Sequence, residues 1–84
     1  MQYFLSRGFQ KQFKKLPARA KQKAIARLQL FVANPMDYRL RNHPLAGEWR
    51  EHRSINITGD YRAVYKREGD TVIFITIGTH SELY

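Results

Sequence analysis

The residues best suited to chemistry in this sequence lie near its end, directly after an apolar run. Residues 78–84 read Gly-Thr-His-Ser-Glu-Leu-Tyr and follow the segment Thr71 to Ile77, whose composition is typical of a buried strand. Histidine can both donate and accept a proton near neutral pH. His80, with Tyr84 in the same short tail, therefore indicates acid–base chemistry. The protein is strongly basic, so an anion is the expected substrate.

Metal-free cleavage of an RNA phosphodiester needs three kinds of group. A base takes the proton of the 2′-hydroxyl, a cation stabilises the charge on the phosphoryl oxygens, and an acid protonates the departing 5′-oxygen. The second half of the chain offers these candidates for the three roles: Asp60, Arg62, His80 and Tyr84, with additional help from His43 and Arg53. Two of them have a structural alternative: Arg62 could be a salt-bridged strand residue, and Asp60 could be a turn residue that hydrogen-bonds locally.

No metal, cofactor or membrane site is expected. The three histidines, His43, His52 and His80, do not have zinc-ligand spacing, and the chain has no cysteine. The most apolar helical stretch, Ala24 to Ala33, contains Arg27 and is too short to span a bilayer. Nothing resembles a signal peptide. The expectation is a cytoplasmic protein with no membrane partner.

The positive charge is concentrated in the first part of the chain. Met1 to Met36 contains eight Lys/Arg residues and no Asp or Glu, whereas Asp37 to Tyr84 contains seven of each sign. The net charge of +8 therefore lies entirely in the first 36 residues. Ordinary surfaces intersperse both signs, so this segment predicts a docking surface for phosphates. The alternative is a solvated helical face.

Periodicity predicts the elements that must position these residues. Gln2 to Leu5 is apolar enough for an edge strand, and a first helix is predicted from Ser6, a suitable N-cap, to Lys15. A second helix has Pro17 in its first turn and stops at Asn34-Pro35. Three cations form a basic stripe on one face of this helix: Arg19, Lys23 and Arg27.

The second half of the chain predicts strands. Asp37 to Glu48 is expected to be a loop, and period-two alternation starts at Trp49 and continues to a turn at Thr58-Gly59-Asp60. A strand from Tyr61 to Lys66 and the strand Thr71 to Ile77 follow, joined by the hairpin turn Glu68-Gly69-Asp70. The polar face of the strand that starts at Trp49 carries Arg50, His52, Ser54 and Asn56.

The predicted fold is α+β, a single domain over residues 1–84 with the order β-α-α-β-β-β. The N-terminal helical hairpin packs on one face of a small, mainly antiparallel twisted sheet. The other face of the sheet is open and carries the polar strand residues.

Several segments together resemble a known family. They are His43-Pro44-Leu45-x-Gly47-x-Trp49, Arg53, Asp60-Tyr61-Arg62-x-Val64-Tyr65, and Ile77-Gly78-Thr79-His80-Ser81-Glu82-Leu83-Tyr84. The pattern is similar to the RelE/ParE superfamily of bacterial toxins, and within it to the YafQ-like mRNA interferases. The resemblance covers His43 to Tyr84 in detail, and over the first half it is topological: a strand and two basic helices.

The resemblance implies a toxin of a type II toxin–antitoxin system with the RelE-like fold. Such toxins are metal-independent endoribonucleases that enter the A site of the 30S ribosomal subunit and cut mRNA there. Attack by the 2′-hydroxyl leaves a 2′,3′-cyclic phosphate, and translation stops. A cognate antitoxin, expected to be acidic where it contacts the toxin, neutralises them.

The resemblance also assigns roles to residues of this chain. His80 matches the family's general-acid histidine, and Arg62 matches the arginine that contacts phosphate. Asp60 matches the carboxylate proposed as base, and His43 matches a loop histidine, so the base is open between these two. Tyr84 matches the terminal aromatic residue that holds the reacting nucleotide.

Two positions depart from the pattern. Asn56 stands where the family has histidine or lysine, and Thr76 stands where YafQ has arginine. Asn56 can hydrogen-bond a ribose, but it cannot act as a base. The residues expected to contact RNA are Arg53, Asn56, Arg50, Arg19, Lys23 and Arg27. Two alternatives stay open: a ParE-like inhibitor of DNA gyrase, and a degenerate member that binds an antitoxin or RNA without cutting.

Overall fold

Two helices cover one face of a five-stranded sheet in the computed structural model, which describes residues 1–83. Two short 3-10 turns, Tyr38–Leu40 and Gly47–Trp49, lie between the second helix and the third strand. The helices and strands, in chain order, are β1 Gln2–Leu5, α1 Arg7–Lys14, α2 Ala18–Ala33, β2 His43–Pro44, β3 His52–Asn56, β4 Tyr61–Glu68, β5 Thr71–Thr79 and α3 His80–Leu83.

The strands follow the order β1-β5-β4-β3-β2. β1 pairs with β5 in parallel and the other neighbours pair antiparallel, so the sheet is mixed. The register between β4 and β5 shifts beside Val64, which leaves Ile75 as the extra residue of a bulge. The Ser6 hydroxyl donates to the Ile75 carbonyl (2.7 Å) and accepts from the Phe9 amide (3.0 Å). Ser6 therefore caps α1, as predicted, and ties it to the bulged strand.

An aromatic cluster joins the helices to the sheet. Phe31 of α2 meets Tyr65 and Phe74 edge-on, at centroid distances of 4.9 and 5.2 Å. Phe9 of α1 lies 5.9 Å from Phe74. All four rings are buried in one core. These geometries are those that aromatic pairs prefer, so both helices are fixed against the same face.

The predicted α+β fold and the order of its helices and strands are confirmed, with corrections at four places. β4 continues to Glu68 rather than ending at Lys66. The predicted loop from Asp37 to Glu48 contains a further strand, β2, which pairs with β3. β3 begins at His52 rather than Trp49, because Glu51 has φ 77° and interrupts the extended backbone. β5 continues to Thr79, and the tail then forms α3. Within residues 1–83, no helix has both the length and the apolar character needed to cross a membrane.

Candidate active site

Asn56 of β3, Arg62 of β4 and His80 of the tail meet in an open groove, called the central groove below. Ser54, which was also predicted on this open face of the sheet, is fully buried instead. Asn56 and Arg62 are paired across β3 and β4. Their neighbours Ile55 and Ala63 are fully buried in the core beneath the helices. Side chains alternate along a strand, so Asn56 and Arg62 project from the opposite face. The groove has a volume of about 970 Å³ and is lined by Arg41, Asn42, His43, Leu45, Asn56, Gly59, Arg62 and His80.

Arg62 is held by backbone carbonyls rather than by a carboxylate. Its Nη1 donates to the carbonyls of Thr58 (2.9 Å), Gly59 (3.0 Å) and Tyr61 (3.2 Å). No carboxylate in residues 1–83 forms a salt bridge with it. The interpretation of Arg62 as a salt-bridged strand residue is therefore wrong for the described part of the chain. Its guanidinium keeps its charge and two further nitrogens for an anion in the groove.

His43 is oriented by a backbone carbonyl. Its Nδ1 lies 2.7 Å from the carbonyl oxygen of Arg41. A carbonyl oxygen can only accept, so Nδ1 carries the proton in this bond. In the neutral ring Nε2 then has a free lone pair. His43 pairs with Ser54 in the short strand β2, which fixes its backbone at the edge of the sheet.

A partly buried hydrogen-bond network holds the segment before His43. Asn42 Nδ2 donates to the Pro35 carbonyl (3.0 Å) and to the Tyr65 hydroxyl (2.8 Å). Asn42 Oδ1 accepts from Arg53 Nε at 2.7 Å. Arg53, expected to contact RNA, is thus half-buried and bonded to the chain itself. Its Nη2 also donates to the Asn42 backbone carbonyl at 3.5 Å.

His80 begins α3 and reaches both the central groove and a smaller neighbouring hollow. Its backbone amide donates to the Asp60 carbonyl at 3.2 Å. The Asp60 hollow, about 410 Å³, is lined by Gly59, Asp60, Tyr61, Thr79, His80 and Ser81. Asp60 lines this hollow and not the central groove. The two candidate bases, Asp60 and His43, therefore border different cavities that share His80.

The basic stripe of α2 adjoins the central groove. A side groove of about 360 Å³ is lined by Lys23, Arg27, Arg39, Asn56, Ile57, Thr58 and Gly59. It shares Asn56 and Gly59 with the central groove. Arg19 and Lys23 line a further hollow of about 610 Å³, which includes Thr58 and Tyr61. The cations of α2 and the central groove thus form one continuous surface around the turn between β3 and β4.

Several groove residues were missed from the sequence, among them two arginines and an asparagine. Arg41 and Asn42 line the central groove, and Arg39 lines the side groove. Arg39 donates to Asp37 in a two-bonded ion pair at 3.0 Å, and this hydrogen bond lowers the pKa of Asp37 to about 2. The Asp37-x-Arg39 spacing was the sequence signal that could have indicated this ion pair. Arg41 has no such signal: it follows the Tyr38–Leu40 turn with φ 47°.

Arg50 is exposed beyond the Gly47–Trp49 turn and does not line the central groove. Tyr84 lies outside the residues that the structure describes. Among residues 1–83, no group of three His, Asp or Glu side chains is arranged to hold a metal ion.

The comparisons with known proteins give the family. A sequence model of "Bacterial toxin of type II toxin-antitoxin system, YafQ" matches residues 1–84. The chain belongs to the YafQ toxin family. The match extends the resemblance seen in the motifs to the first half of the chain. A search of curated proteins found no match.

Solved structures share this family's fold. The crystal structure of YafQ from E. coli strain BL21(DE3) has a TM-score of 0.83 and 26% identity, over 98% of this chain and 96% of that chain. A chain in the crystal structure of the E. coli DinJ-YafQ toxin–antitoxin complex has a TM-score of 0.80 and 26% identity, over 98% and 94%. The YoeB/ParE toxin from Agrobacterium tumefaciens, with 20% identity over 95% and 99%, shows the same fold at a TM-score of 0.77. The RelE-like architecture predicted from the sequence is confirmed.

Proposed function

We propose that this YafQ family toxin is a metal-independent endoribonuclease that cuts mRNA in the 30S A site and so inhibits translation. The observation that supports it most is the composition of the central groove. His43, Arg62 and His80 line one concave surface, and they supply the three groups that RNA cleavage needs. Arg62 makes no ion pair with the described carboxylates, so its charge is available to a phosphate.

The proposed reaction is an in-line attack within the RNA. His43 Nε2 takes the proton of the 2′-hydroxyl, whose oxygen forms a bond to the adjacent phosphorus. The bond from phosphorus to the 5′-oxygen breaks, and protonated His80 gives its proton to that oxygen. The products are a 2′,3′-cyclic phosphate and a 5′-hydroxyl. Arg62 donates to the phosphoryl oxygens, where negative charge accumulates.

The groove supports His43 as the base rather than Asp60. His43 has its Nε2 lone pair available, whereas Asp60 lines the hollow on the other side of His80. Asn56 lies beside Arg62 and can bond the ribose or a phosphate oxygen through its amide. The role of Tyr84 in holding the reacting nucleotide stays a prediction, as does contact of Arg50 with RNA.

We propose a cognate antitoxin as the second partner. In the E. coli relative, YafQ is found in a complex with DinJ. Here the net charge of +8 favours a partner that is acidic at the contact surface. Such a partner would neutralise the toxin and compete with the anionic ribosome.

Two substitutions test the proposed chemistry. Arg62→Ala and His80→Ala should each reduce cleavage of ribosome-bound mRNA by about 100-fold or more, since each removes a group that acts in the transition state. Cleavage is measured by primer extension with purified ribosomes carrying a defined mRNA. Arg67→Ala is the matched control, because Arg67 is an exposed arginine on the same strand and its Nε donates to the Gly69 carbonyl, away from the groove.

The result also separates the alternatives. Full cleavage by the folded Arg62→Ala and His80→Ala variants would rule out this site. Inhibition of DNA supercoiling by purified gyrase, without mRNA cleavage, would indicate a ParE-like inhibitor. Ribosome or antitoxin binding without either activity would indicate a degenerate member.

A further inference from the structure

His80 stands on a helix that is too short to hold itself. α3 contains four residues, His80–Leu83. Helix nucleation is unfavourable, so a single turn is stable only where other contacts fix it. The position of the His80 backbone therefore depends on what anchors this turn.

Glu82 and Thr79 form a reciprocal pair at the start of α3. The Thr79 amide donates to Glu82 Oε1 at 2.7 Å, and the Glu82 amide donates to Thr79 Oγ1 at 3.3 Å. This is a capping box, with Thr79 at the N-cap and Glu82 at the third helical position. The hydrogen bond from the Thr79 amide lowers the pKa of Glu82, so its carboxylate is ionised at neutral pH. His80 and Ser81 are the two residues between the members of this pair.

Two further contacts also anchor α3. Together with the capping box, they are called the C-terminal clamp below. The His80 amide donates to the Asp60 carbonyl at 3.2 Å, and Trp49 Nε1 donates to the Leu83 carbonyl at 3.3 Å. α3 also lies directly on β5 at Gly78. A Cβ at this position would stand 3.2 Å from Glu82 Oε1 and 3.5 Å from Leu83 Cδ2.

We infer that Glu82 is a positioning residue, which through its capping box with Thr79 holds His80 at the angle from which His80 protonates the leaving 5′-oxygen. The inference rests on the proposed function, because Glu82 has this role only if His80 is the general acid. Glu82 itself does not touch the reacting atoms. Its carboxylate is engaged with the Thr79 amide at the base of α3.

The decisive comparison is between two substitutions of Glu82. Glu82→Ala should lower the single-turnover rate of mRNA cleavage by about 10- to 100-fold, because a small misplacement of a catalytic group is costly. Binding of the toxin to ribosomes should stay unchanged. Glu82→Gln should restore most of the rate, because the glutamine side chain also accepts from the N-cap amide. Glu48→Ala is the matched control: it removes an exposed carboxylate that does not line the central groove.

Gly78→Ala tests the same clamp from the side of the strand. The added methyl group would displace Glu82 by a few tenths of an ångström or break its bond to Thr79. We expect a slower cleavage rate with unchanged ribosome binding, as for Glu82→Ala. In NMR spectra of the isolated toxin, the His80 ring signals should shift in both variants and stay near their original positions in Glu82→Gln.

The outcomes distinguish this inference from the proposed function. If His80→Ala cleaves normally, the proposed function fails. If His80→Ala is inactive and Glu82→Ala cleaves at the original rate, only the clamp is wrong. If Glu82→Gln is as slow as Glu82→Ala, the negative charge rather than the hydrogen bond is needed, which also overturns the clamp.

Discussion

The proposed chemistry depends on which ring nitrogen of His43 carries the proton. Its Nδ1 lies 2.7 Å from the Arg41 carbonyl oxygen, which cannot donate. The neutral ring must therefore be protonated at Nδ1 for this bond to exist. A base that acts on a 2′-hydroxyl needs the opposite nitrogen to be unprotonated, and this arrangement provides it.

The tautomer of His43 can be measured directly. In ¹⁵N-labelled toxin, two-bond ¹H–¹⁵N correlations should show His43 with a protonated Nδ1 and an unprotonated Nε2 wherever the ring is neutral. His52 is an internal comparison, because its Nδ1 lies 3.4 Å from the Arg50 carbonyl, a much weaker bond. His52 should therefore show a mixture of tautomers. A His43 ring protonated at Nε2 would contradict its role as the base.

At the scale of elements, the segment that carries Arg41 and His43 is fixed by the core beneath it. Asn42 links this segment to Pro35, Tyr65 and Arg53 through its side chain. Tyr65 also packs on Phe31, so the groove is connected to the packing of α2. A loop with such anchors keeps the side chain of His43, the proposed base, in place without a long strand of its own.

Tyr65→Phe tests this connection. The substitution keeps the ring and removes the hydroxyl that accepts from Asn42 at 2.8 Å. We expect the free energy of unfolding to fall by about 1 kcal/mol, the usual net contribution of one hydrogen bond, as measured by urea denaturation. The cleavage rate should fall as well. Tyr38→Phe is the control, since Tyr38 is 83% exposed; an equal effect in both variants would contradict the connection.

Elements with local sequence signals could be predicted, whereas elements that depend on pairing with distant residues could not. Helix α1 and the hairpin at Gly69 carry local signals, an N-cap serine and a glycine at φ 58°, so both could be predicted. β2 has two residues, His43–Pro44, and exists only because β3 pairs with it. Trp49 was predicted to start β3 from its alternation with later residues. Its place is instead fixed by a contact with Leu83, which is distant in sequence.

The candidate site shows the same division. His80 and Arg62 could be selected because their residue types and the family motif both indicate chemistry. Arg53 could not be separated from the other arginines that were expected to contact RNA, because its bond to Asn42 depends on how two strands pair. The capping box of Thr79 and Glu82 was present in the sequence as a local Thr-x-x-Glu pattern.

At the scale of the whole molecule, the positive charge is unevenly distributed over the surface. The excess positive charge lies in the first 36 residues, but the cations of α1 and those of α2 lie on different parts of the surface. On α2, Lys23 and Arg27 line the side groove that continues into the central groove. On α1 and its C-cap, three exposed lysines lie outside the grooves described above: Lys11, Lys14 and Lys15.

Two triple substitutions that remove the same amount of charge separate placement from net charge. One replaces the stripe Arg19, Lys23 and Arg27, and the other replaces Lys11, Lys14 and Lys15, each by alanine. Each cation that neutralises a phosphate adds about 0.7–0.9 to the steepness of log affinity against log salt. We therefore expect the α2 variant to bind ribosomes more weakly, with a slope lower by about 2, and the α1 variant to change little. Binding is measured by ribosome sedimentation over a salt series, with circular dichroism as the check on folding. Equal weakening in the two variants would mean that net charge alone, and not the continuous surface from α2 to the central groove, brings the toxin to RNA.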